Sequence, residues 1–510
     1  MYTERNCSSG NINVLLLYPD SHAAALGSPG FRQVYRTLSG TSGIIVDWAW
    51  FDDKNNRIVY ESQDCKGKYD CVAFSVPFEL LYTNVVRCLT ELDIEPEREK
   101  RKEKEPLVIV GGAAPTINPA IGGQIADVVY IGEAENYIIE TIRQSMTVRK
   151  TGAARQLTPM LGSNIPKVNV AAPRFILPLE QIESSCLSGF DNPNISAFKD
   201  AGLVEVGRGC SRGCRFCAAG YIYLPVRHRS VEIILRDVDT YQGRAERIGL
   251  VGASISDHRY LKEILRGILD RGFGLTTSSF RADMLDSELA SLLKKGGLKT
   301  ITIAPEGGSE RIRKIINKQL DEEEILDAVR ACAYAGIKNL RLYFMVGLPW
   351  EKETDTDAIP VLTEKIREEF RSPDSKITIS VNPFIPKPQT PFQWCGMAEL
   401  SYIKKIYKKL ERAFRVISGI TLKTLSVRVA EREAVISLGD ERVGMAVIEN
   451  ARDGIPWKKA LSRNKVNIQE LVHRMKESHE VFPWDNVTGE KTKTALLASF
   501  VTAQCTAEKP

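Results

Sequence analysis

The sequence predicts an α/β fold in three parts: a doubly wound N-terminal domain, a partial (β/α) barrel and a mainly helical C-terminal region. Short apolar runs of strand length alternate with helical segments in two separate series, within 1–150 and 201–395. Strands that alternate with helices are typical of parallel sheets. The 510 residues also exceed what one hydrophobic core usually supports, so more than one domain is expected.

The first series predicts a doubly wound, Rossmann-like domain over residues 1–150. Its five predicted strands are 12–17, 44–48, 71–75, 107–110 and 127–131. Helical patterns at 78–91 and 135–147 lie between or after them. Residues 151–200 lack a clear period and contain several Pro, Ser and Asn residues, so they are predicted to form a connector.

The second series predicts a six-unit partial barrel over residues 201–395. Its candidate strands are 203–207, 248–252, 274–279, 299–304, 339–346 and 376–381, with helical patterns between them. In barrels of parallel strands, functional residues lie at the carboxyl ends of the strands and in the loops that follow. The remaining residues, 396–510, are predicted to form a mainly helical domain.

Composition excludes several classes of protein. The net charge of +5, from 69 basic and 64 acidic residues, is too slight to predict a nucleic-acid partner. No apolar run has the length of a membrane span, and the start, MYTERNCSSGN, lacks the pattern of a signal peptide. A cytoplasmic location is therefore expected, where the eleven cysteines are mostly thiols and a tight cluster of them indicates a metal site.

Three cysteines lie in the loop GRGCSRGCRFCAAG, directly after the first predicted barrel strand. Cys210, Cys214 and Cys217 have the spacing C-x-x-x-C-x-x-C. Three thiolates on one loop can bind three irons of a cubane cluster, which leaves the fourth iron open for another ligand. A structural zinc site is the alternative, but it normally needs four ligands, and the nearest further candidate, His228, is eleven residues away.

With this loop, the chain resembles the radical S-adenosylmethionine (SAM) superfamily. The resemblance implies a 4Fe–4S cluster whose open iron binds the amino and carboxylate groups of S-adenosylmethionine. It also implies an electron donor, such as ferredoxin or flavodoxin. Reductive cleavage of S-adenosylmethionine would give methionine and a 5′-deoxyadenosyl radical that abstracts hydrogen from a substrate.

Two later loops contain candidate S-adenosylmethionine contacts. In SSFRAD, after the third strand, Ser279 and Arg281 would bind the ribose and the methionine carboxylate, since an arginine fork donates two parallel hydrogen bonds. In APEGGSERIRKIINK, after the fourth strand, Glu306 would accept hydrogen bonds from the ribose or the ammonium group, as the family resemblance implies. A solvated Arg281 and a Glu306 that only stabilises a helix N-terminus are the alternatives.

The fifth strand, NLRLYFMV, predicts two residues in the barrel lumen. Side chains alternate along a strand, so the apolar positions should pack on the helices, and Arg341 and Tyr343 should face the lumen. A lumenal arginine is costly to bury without an anionic partner. We therefore assign catalytic roles to Arg341 and Tyr343, with structural hydrogen bonding as the alternative.

Glycine turns end two strands of the first domain, in VIVGGAAPTINP and VVYIGEAE, where backbone can approach a ligand closely. The candidate binding residues in these turns are Gly111, Gly112, Thr116, Gly132 and Glu133. A doubly wound domain before such a barrel resembles the cobalamin-binding domain of class B radical SAM methyltransferases. The segments NPFIPKPQTPFQW and FPWDNV also resemble that subgroup.

The stretch DSHAAALG partly matches the D-x-H-x-x-G motif of cobalamin domains that use a histidine ligand. Asp20 and His22 match, whereas Ala25 occupies the glycine position. His22 is therefore a candidate cobalt ligand, and an exposed loop histidine is the alternative.

The resemblance implies a cobalamin-dependent radical SAM methyltransferase that methylates an unactivated carbon. A protein or peptide is the substrate that it suggests, for example a residue of methyl-coenzyme M reductase. One alternative is a radical SAM enzyme without cobalamin, such as a methylthiotransferase, which places a second cluster on three N-terminal cysteines; the candidates here are Cys7, Cys65, Cys71 and Cys88. Another is a non-catalytic protein that binds a corrinoid or a metal.

Overall fold

The computed structural model describes residues 11–61, 68–135, 137–150, 170–171, 177–182, 201–371, 374–488 and 490–508. The chain divides into two compact units. Unit 1 comprises Met1–Lys199, Val435–Leu471 and Val481–Glu490, and unit 2 comprises Asp200–Ala434, Val472–Glu480 and Lys491–Pro510. The segment 396–510, predicted to be a separate domain, is thus distributed over both units. The boundary between the N-terminal unit and the barrel lies between Lys199 and Asp200.

Unit 1 is built on a seven-stranded sheet with the order β3-β2-β1-β4-β5-β6-β7. The strands are β1 (Ile12–Tyr18), β2 (Ile44–Asp52), β3 (Arg57–Tyr60), β4 (Cys71–Ser75), β5 (Leu107–Gly111), β6 (Val128–Tyr130) and β7 (Val170–Ala171). All neighbours are parallel except β2 and β3, which pair antiparallel. The order β2-β1-β4-β5-β6 is the flavodoxin-like one, in which ligands bind at the carboxyl ends of β1 and β4.

Helices pack on this sheet. They are α1 (His22–Leu26), α2 (Pro29–Ser39), α3 (Tyr82–Glu91), α4 (Ala113–Ile117), α5 (Pro119–Ile125) and α6 (Ile138–Lys150). Side-chain caps explain where α1, α2 and α5 begin, because Ser21, Ser28 and Asn118 each accept a hydrogen bond from a first-turn N–H. The strands β4 and β5 are buried over four consecutive residues each, which is typical of a sheet covered on both faces.

Three helices from the C-terminal part of the sequence also belong to unit 1: α16 (Glu441–Arg452), α17 (Trp457–Arg463) and α18 (Asp485–Thr488). Helix α16 packs against α3 and α5. The Asn118 side chain donates to the carbonyl oxygens of Ser437 and Gly439, at 2.9 and 2.7 Å, in the buried interior. This packing explains why residues far along the chain join the N-terminal unit.

Unit 2 contains two parallel sheets, with the orders β12-β11-β8 and β13-β14-β15-β16, and a two-stranded antiparallel sheet of β9 and β10. Its strands are β8 (Ala201–Glu205), β9 (Gly207–Arg208), β10 (Arg227–His228), β11 (Arg247–Val251), β12 (Gly274–Thr276), β13 (Thr300–Glu306), β14 (Asn339–Val346), β15 (Lys376–Pro383) and β16 (Ile420–Thr424). A parallel bridge between Phe280 and Ile303 joins the two sheets. The result is an open array of parallel strands, in which β16 extends the six predicted strands.

The helices of unit 2 follow its strands, as in a (β/α) barrel. They are α7 (Ala219–Ile222), α8 (Val231–Asp239), α9 (Leu261–Asp270), α10 (Ser287–Lys295), α11 (Glu310–Ile315), α12 (Glu322–Tyr334), α13 (Glu353–Glu369) and α14 (Leu400–Arg415). Helix α15 (Val427–Leu438) crosses the division between the units, and α19 (Glu490–Glu508) belongs almost entirely to unit 2.

The predicted fold class is confirmed: a doubly wound parallel domain precedes a partial (β/α) barrel, and the C-terminal region is mainly helical. None of the described helices combines the length and the apolar character that crossing a bilayer requires.

Candidate active site

The cysteine loop begins where β9 ends and passes through backbone conformations that favour glycine. Gly209 has φ +82° and Gly213 has φ +63°. A Cβ on Gly209 would lie 2.6 Å from the carbonyl oxygen of Tyr223, so this position has no room for a side chain. Cys210, Cys214 and Cys217 are all free thiols and only partly exposed. The three predicted ligands therefore lie together on one loop, whose backbone conformation depends on its glycines.

The loop is anchored to the C-terminal end of α11. The Asn317 side chain donates to the carbonyl oxygen of Gly213 at 2.9 Å, and the Arg215 N–H donates to that of Ile316 at 3.0 Å. The Arg215 guanidinium also donates to the Ile315 carbonyl oxygen at 2.6 Å. These contacts do not involve the cysteine sulfurs, so the fold positions the loop while leaving the thiols available for iron.

Arg212, between the first two cysteines, anchors the loop from its other side. Its guanidinium donates to Asp257 and, at 3.1 Å, to Asp283, and the Ser254 hydroxyl donates to Asp257 at 2.6 Å. An open polar cavity of about 630 Å³ lies here. It is lined by Ser211, Arg212, Gly213, Asp257, Met284, Asn317 and Gln319. The segments that follow β11, β12 and α11 therefore meet the cysteine loop here.

Two other predicted residues, Arg281 and Glu306, affect the pKa of a cysteine in the loop. Burial raises the pKa of Cys214 to about 11, and the charges of Lys318 and Arg281 oppose that rise, whereas Glu306 adds to it. Burial also raises the pKa of Cys217, and the charge of Cys210 adds to the rise. Since iron binds the thiolate, cluster binding would have to release these protons. The pattern shows that the three thiols, Arg281 and Glu306 share one region.

The donor set fits a cubane cluster better than a zinc ion. In the part of the chain that is described, no three His, Cys, Asp or Glu side chains form a group that could hold a single metal ion. A cubane does not need such a group, because each cysteine binds a different iron. His228, considered above as a fourth zinc ligand, instead has its ring 4.9 Å from that of His258.

Glu306 ends β13 in the left-handed region, with φ +67°. Its Oε1 lies 3.4 Å from Nζ of Lys318, and both side chains are at least four-fifths buried. Burial raises the pKa of Glu306, and the charge of Lys318 opposes that rise. Lys318, the last residue of APEGGSERIRKIINK, was not identified as a candidate from the sequence, because nothing in that segment indicates that it returns to meet Glu306. Ser309, three residues after Glu306, caps α11 by accepting from the N–H of Ile312.

Arg281 is engaged by neighbouring loops. Its Nε donates to Asp283 at 3.0 Å, and a terminal nitrogen donates to the carbonyl oxygen of Lys318 at 3.1 Å. These contacts hold the guanidinium of Arg281 against Asp283 and the turn after α11. Ser279, the other residue predicted in this segment, is exposed after the end of β12.

Arg341 and Tyr343 lie on the same face of β14, as their alternation with buried residues predicts. In the ladder, Arg341 pairs with Thr302 and Thr378, and Tyr343 pairs with Ser380. Nε of Arg341 is buried without a hydrogen-bond partner among the described residues. A buried donor left in this state costs roughly 1–3 kcal/mol. The arginine therefore fits a site that an oxyanion would complete.

The predicted residues of the glycine turns join the carboxyl ends of β5 and β6. The Thr116 hydroxyl donates to the Gly112 carbonyl oxygen at 2.7 Å and accepts from the Gly132 N–H at 3.1 Å. The Glu133 carbonyl oxygen accepts from the Tyr130 hydroxyl at 2.9 Å.

Close packing around the two consecutive glycines explains why neither position has a larger side chain. A Cβ on Gly112, with φ +113°, would lie 2.7 Å from the carbonyl oxygen of Val76, and one on Gly111 would meet Cβ of Tyr130 at 3.5 Å. The turns thus lie at the ligand-binding edge of such a fold, but these groups already have internal partners.

His22, the candidate cobalt ligand, begins α1 and lies against β2. Its ring stacks on Trp50 at a centroid distance of 3.9 Å and lies 5.8 Å from Trp48, and both tryptophans belong to β2. Nε2 lies 3.9 Å from a Glu61 oxygen, and burial lowers the pKa of His22. In the strand order, β2 flanks β1 on the side away from β4.

Comparison with known families gives two matches. Residues 204–362 match the Radical SAM superfamily, and residues 30–170 match the family described as Radical SAM proteins, N-terminal. The first match includes the whole cysteine loop, Glu306 and Arg341.

Three of the similar curated proteins come from archaea. An uncharacterized protein of Methanocaldococcus jannaschii, MJ0966, is 28% identical over 84% of this chain and 89% of its own length. A putative methylthiotransferase of the same organism, MJ0865, is 26% identical over 56% of this chain and 63% of its own. An uncharacterized methyltransferase of Pyrococcus horikoshii, PH0819, is 23% identical over 52% and 60%.

Among solved structures, the chain is similar to the cobalamin-dependent S-adenosylmethionine radical enzyme OxsB with aqua-cobalamin and S-adenosylmethionine bound. The TM-score is 0.51 at 16% identity, over 81% of this chain. The chain spans 58% of the OxsB chain. At this identity the likeness concerns the fold.

Proposed function

The chain belongs to the radical SAM superfamily, and we propose on that basis that it is a cobalamin-dependent methyltransferase that acts on an unactivated carbon atom. The observation that carries the proposal is the loop of three free cysteines, held in place by Arg212, Arg215 and Asn317. Cys210, Cys214 and Cys217 would hold a 4Fe–4S cluster. When bound, the cluster supplies the electron that cleaves S-adenosylmethionine, and a ferredoxin or flavodoxin would reduce it.

Three groups of the barrel are proposed to hold S-adenosylmethionine and substrate. Glu306 would accept hydrogen bonds from the ammonium or ribose groups, and Lys318 favours its charged form. Ser279 would contact the ribose. Arg341, whose Nε lacks a partner in the described structure, would bind a carboxylate, and Tyr343 on the same face would contact the substrate. Arg281 would hold the neighbouring loops in place.

Cobalamin is proposed for unit 1 on two grounds. The strand order of the sheet is flavodoxin-like, and OxsB, whose fold is similar, binds cobalamin. The stacking of His22 on Trp50 supports binding without a histidine ligand to cobalt. The glycine turns, with Gly111, Gly112, Thr116, Gly132 and Glu133, would contribute backbone to the site's rim. When bound, cobalamin supplies a carrier for the methyl group.

The family resemblance suggests a protein substrate, such as a residue of methyl-coenzyme M reductase. Product mass analysis with candidate peptides from that enzyme would test this part separately from cofactor binding.

A methylthiotransferase is the second candidate, because similar proteins carry that name. It would need a second cluster on N-terminal cysteines. Cys71 on β4 and Cys88 on α3 are fully buried in the hydrophobic interior, and burial raises the pKa of Cys88 well above its ordinary value. Cys7 and Cys65 lie outside the described residues. The burial of Cys71 and Cys88 favours core packing for both, and thereby favours the methyltransferase.

The test is anaerobic purification with iron, sulfide and cobalamin supplied, followed by measurement of bound iron, bound corrinoid and 5′-deoxyadenosine. The triple variant Cys210→Ser/Cys214→Ser/Cys217→Ser should lose the cluster and all cleavage. Cys505→Ser, which removes an exposed thiol of the same unit, is the matched control and should retain both. Corrinoid binding with cleavage supports the proposal. Cleavage without corrinoid supports the methylthiotransferase, and corrinoid or metal without cleavage supports a non-catalytic binding protein.

A further inference from the structure

The solvent face of helix α14 is cationic. At 3.6 residues per turn, five exposed basic side chains lie within one arc of about 100° around the helix axis. They are Lys404, Lys405, Lys408, Arg412 and Arg415. The apolar side chains lie on the opposite side and are buried: Ile403, Ile406, Tyr407, Leu410 and Phe414. Ser401 shares the cationic face, and Glu411 at its margin is the one acidic residue of the helix.

Most of these cations have no acidic partner. Lys409, on the flank of the helix, is the contrasting case, because it pairs with Glu353 at 2.9 Å and with Asp357 at 2.5 Å, both on α13. Lys405 also interacts electrostatically with Glu353. Within the described part of the chain, no ion pair joins Lys404, Lys408, Arg412 or Arg415 to an acidic group. An anionic partner would therefore relieve their mutual repulsion.

The chemistry of the face distinguishes between possible anionic partners. A membrane surface would require an apolar face to enter the interface, but the apolar side of α14 is packed inside the protein. Interfaces with proteins usually have an apolar or aromatic centre, and the cationic face has none. Contacts to a nucleic-acid backbone are polar and strongly basic, and need no apolar centre.

The spacing also suits a chain of phosphates. Lys404, Lys408 and Arg412 lie four residues apart in a row, so successive cations are separated by roughly 6 Å along the axis. Such a row can follow consecutive phosphates of one strand. We propose that the solvent face of α14 binds the sugar–phosphate backbone of an RNA. This goes beyond the proposed function and does not depend on it, because backbone binding needs neither cluster nor S-adenosylmethionine.

The test uses the full-length chain and a fluorescein-labelled RNA hairpin of mixed sequence, with binding followed by anisotropy at several KCl concentrations. Each phosphate contact contributes about 0.7–0.9 to the slope of log K against log salt. The variant Lys404→Gln/Lys408→Gln/Arg412→Gln should therefore reduce that slope by about two to three and weaken binding roughly tenfold or more at low salt. Glutamine is a good helix former, so the helix should persist, and thermal melting would verify this.

The matched control is Lys262→Gln/Arg266→Gln/Lys365→Gln. It makes the same change in charge on helices of the same unit, where the cations are already paired with surface carboxylates. It should retain the binding and the salt slope of the parent chain. The proposal is overturned if the α14 variant binds RNA like the parent, or if the control loses as much. It is also overturned if poly-L-glutamate binds α14 as tightly as RNA does, which would instead indicate an acidic protein partner.

Discussion

The ammonium group of Lys318 lies 3.4 Å from Oε1 of Glu306, and the pair is buried beside Cys214. The lysine comes from the turn after α11 and the glutamate from the end of β13, so the pair connects both ends of one β–α unit. A buried charge that loses its partner is strongly destabilising, whereas removing both charges is often tolerated.

Lys318→Met should therefore destabilise unit 2 by about 3 kcal/mol, because it leaves the Glu306 carboxylate buried without a counter-charge. Adding Glu306→Gln to that variant should recover a large part of the loss. Urea denaturation of the single and double variants measures both effects. Equal stability of Lys318→Met and the parent chain would show that the ion pair does not support the fold.

Arg341→Met should lower the rate of 5′-deoxyadenosine formation by about a hundredfold or more, as expected for loss of a preorganised charged donor. Its melting temperature should stay the same or rise, because the unpartnered Nε is removed from a buried position. Arg341→Lys should not rescue a bidentate contact. As a control, Arg330→Met removes an ion-paired arginine on the outside of α12 and should leave the rate unchanged. A fall in melting temperature for Arg341→Met would indicate a structural role.

Glu351 should make the stability of unit 2 depend on pH. Burial raises the pKa of Glu351 from an ordinary value of 4.5 to about 7. The hydrogen bond that the Gly347 N–H donates to its carboxylate, at 2.7 Å, opposes this rise. Between about pH 4.5 and pH 7, the folded chain therefore binds more protons than the unfolded chain. The contribution of Glu351 to the free energy of unfolding declines as the pH rises through this range. Glu351→Gln should stabilise the chain at pH 8, on the order of 2–3 kcal/mol, and change little at pH 4.

Urea titrations of Glu351→Gln and the parent chain at the two pH values measure this difference. Glu364→Gln, which changes an exposed carboxyl on α13, is the control and should show no such dependence. A gain from Glu351→Gln that is the same at both pH values would contradict the buried-carboxyl explanation.

Gly112→Ala should destabilise unit 1 by about 2–4 kcal/mol, through an unfavourable backbone conformation and contact with Val76. Gly30→Ala is the comparison within the same unit. A Cβ there meets no atom within 4 Å, and the residue lies in α2, so this change should stabilise by roughly 0.5–1 kcal/mol. Comparing the melting temperatures of Gly112→Ala, Gly30→Ala and the parent chain tests both predictions. A neutral Gly112→Ala would mean that the turn can shift away from Val76.

Local patterns predicted much of the barrel. The alternation in NLRLYFMV correctly gave both the span of β14 and its two faces, because the two-residue period of a strand is a property of the backbone. The third predicted strand, 274–279, ends earlier, at Thr276, and the following segment pairs with the next sheet through Phe280 alone. The added strand β16 was not predicted, since ITLKT is short, exposed and preceded by a long helix.

Side-chain partners were harder to predict than elements. His22 was considered as a metal ligand because of its motif, yet the structure stacks it on Trp50, a residue of another strand. The net charge of +5 gave no reason to expect a polyanion, but the fold concentrates unpaired cations on one side of α14 and pairs others elsewhere. In both cases, the sequence contains the residues but does not specify which of them become neighbours.

The amino-acid sequence by itself determined the strand and helix series and the three-cysteine loop, because residues that close together are constrained by covalent geometry and local period. Only the tertiary structure decided that Lys318 meets Glu306, that Arg341 has a buried nitrogen without a partner, and that His22 faces β2. Those relationships depend on how distant segments pack, since desolvation and pairing of charges are properties of the assembled interior.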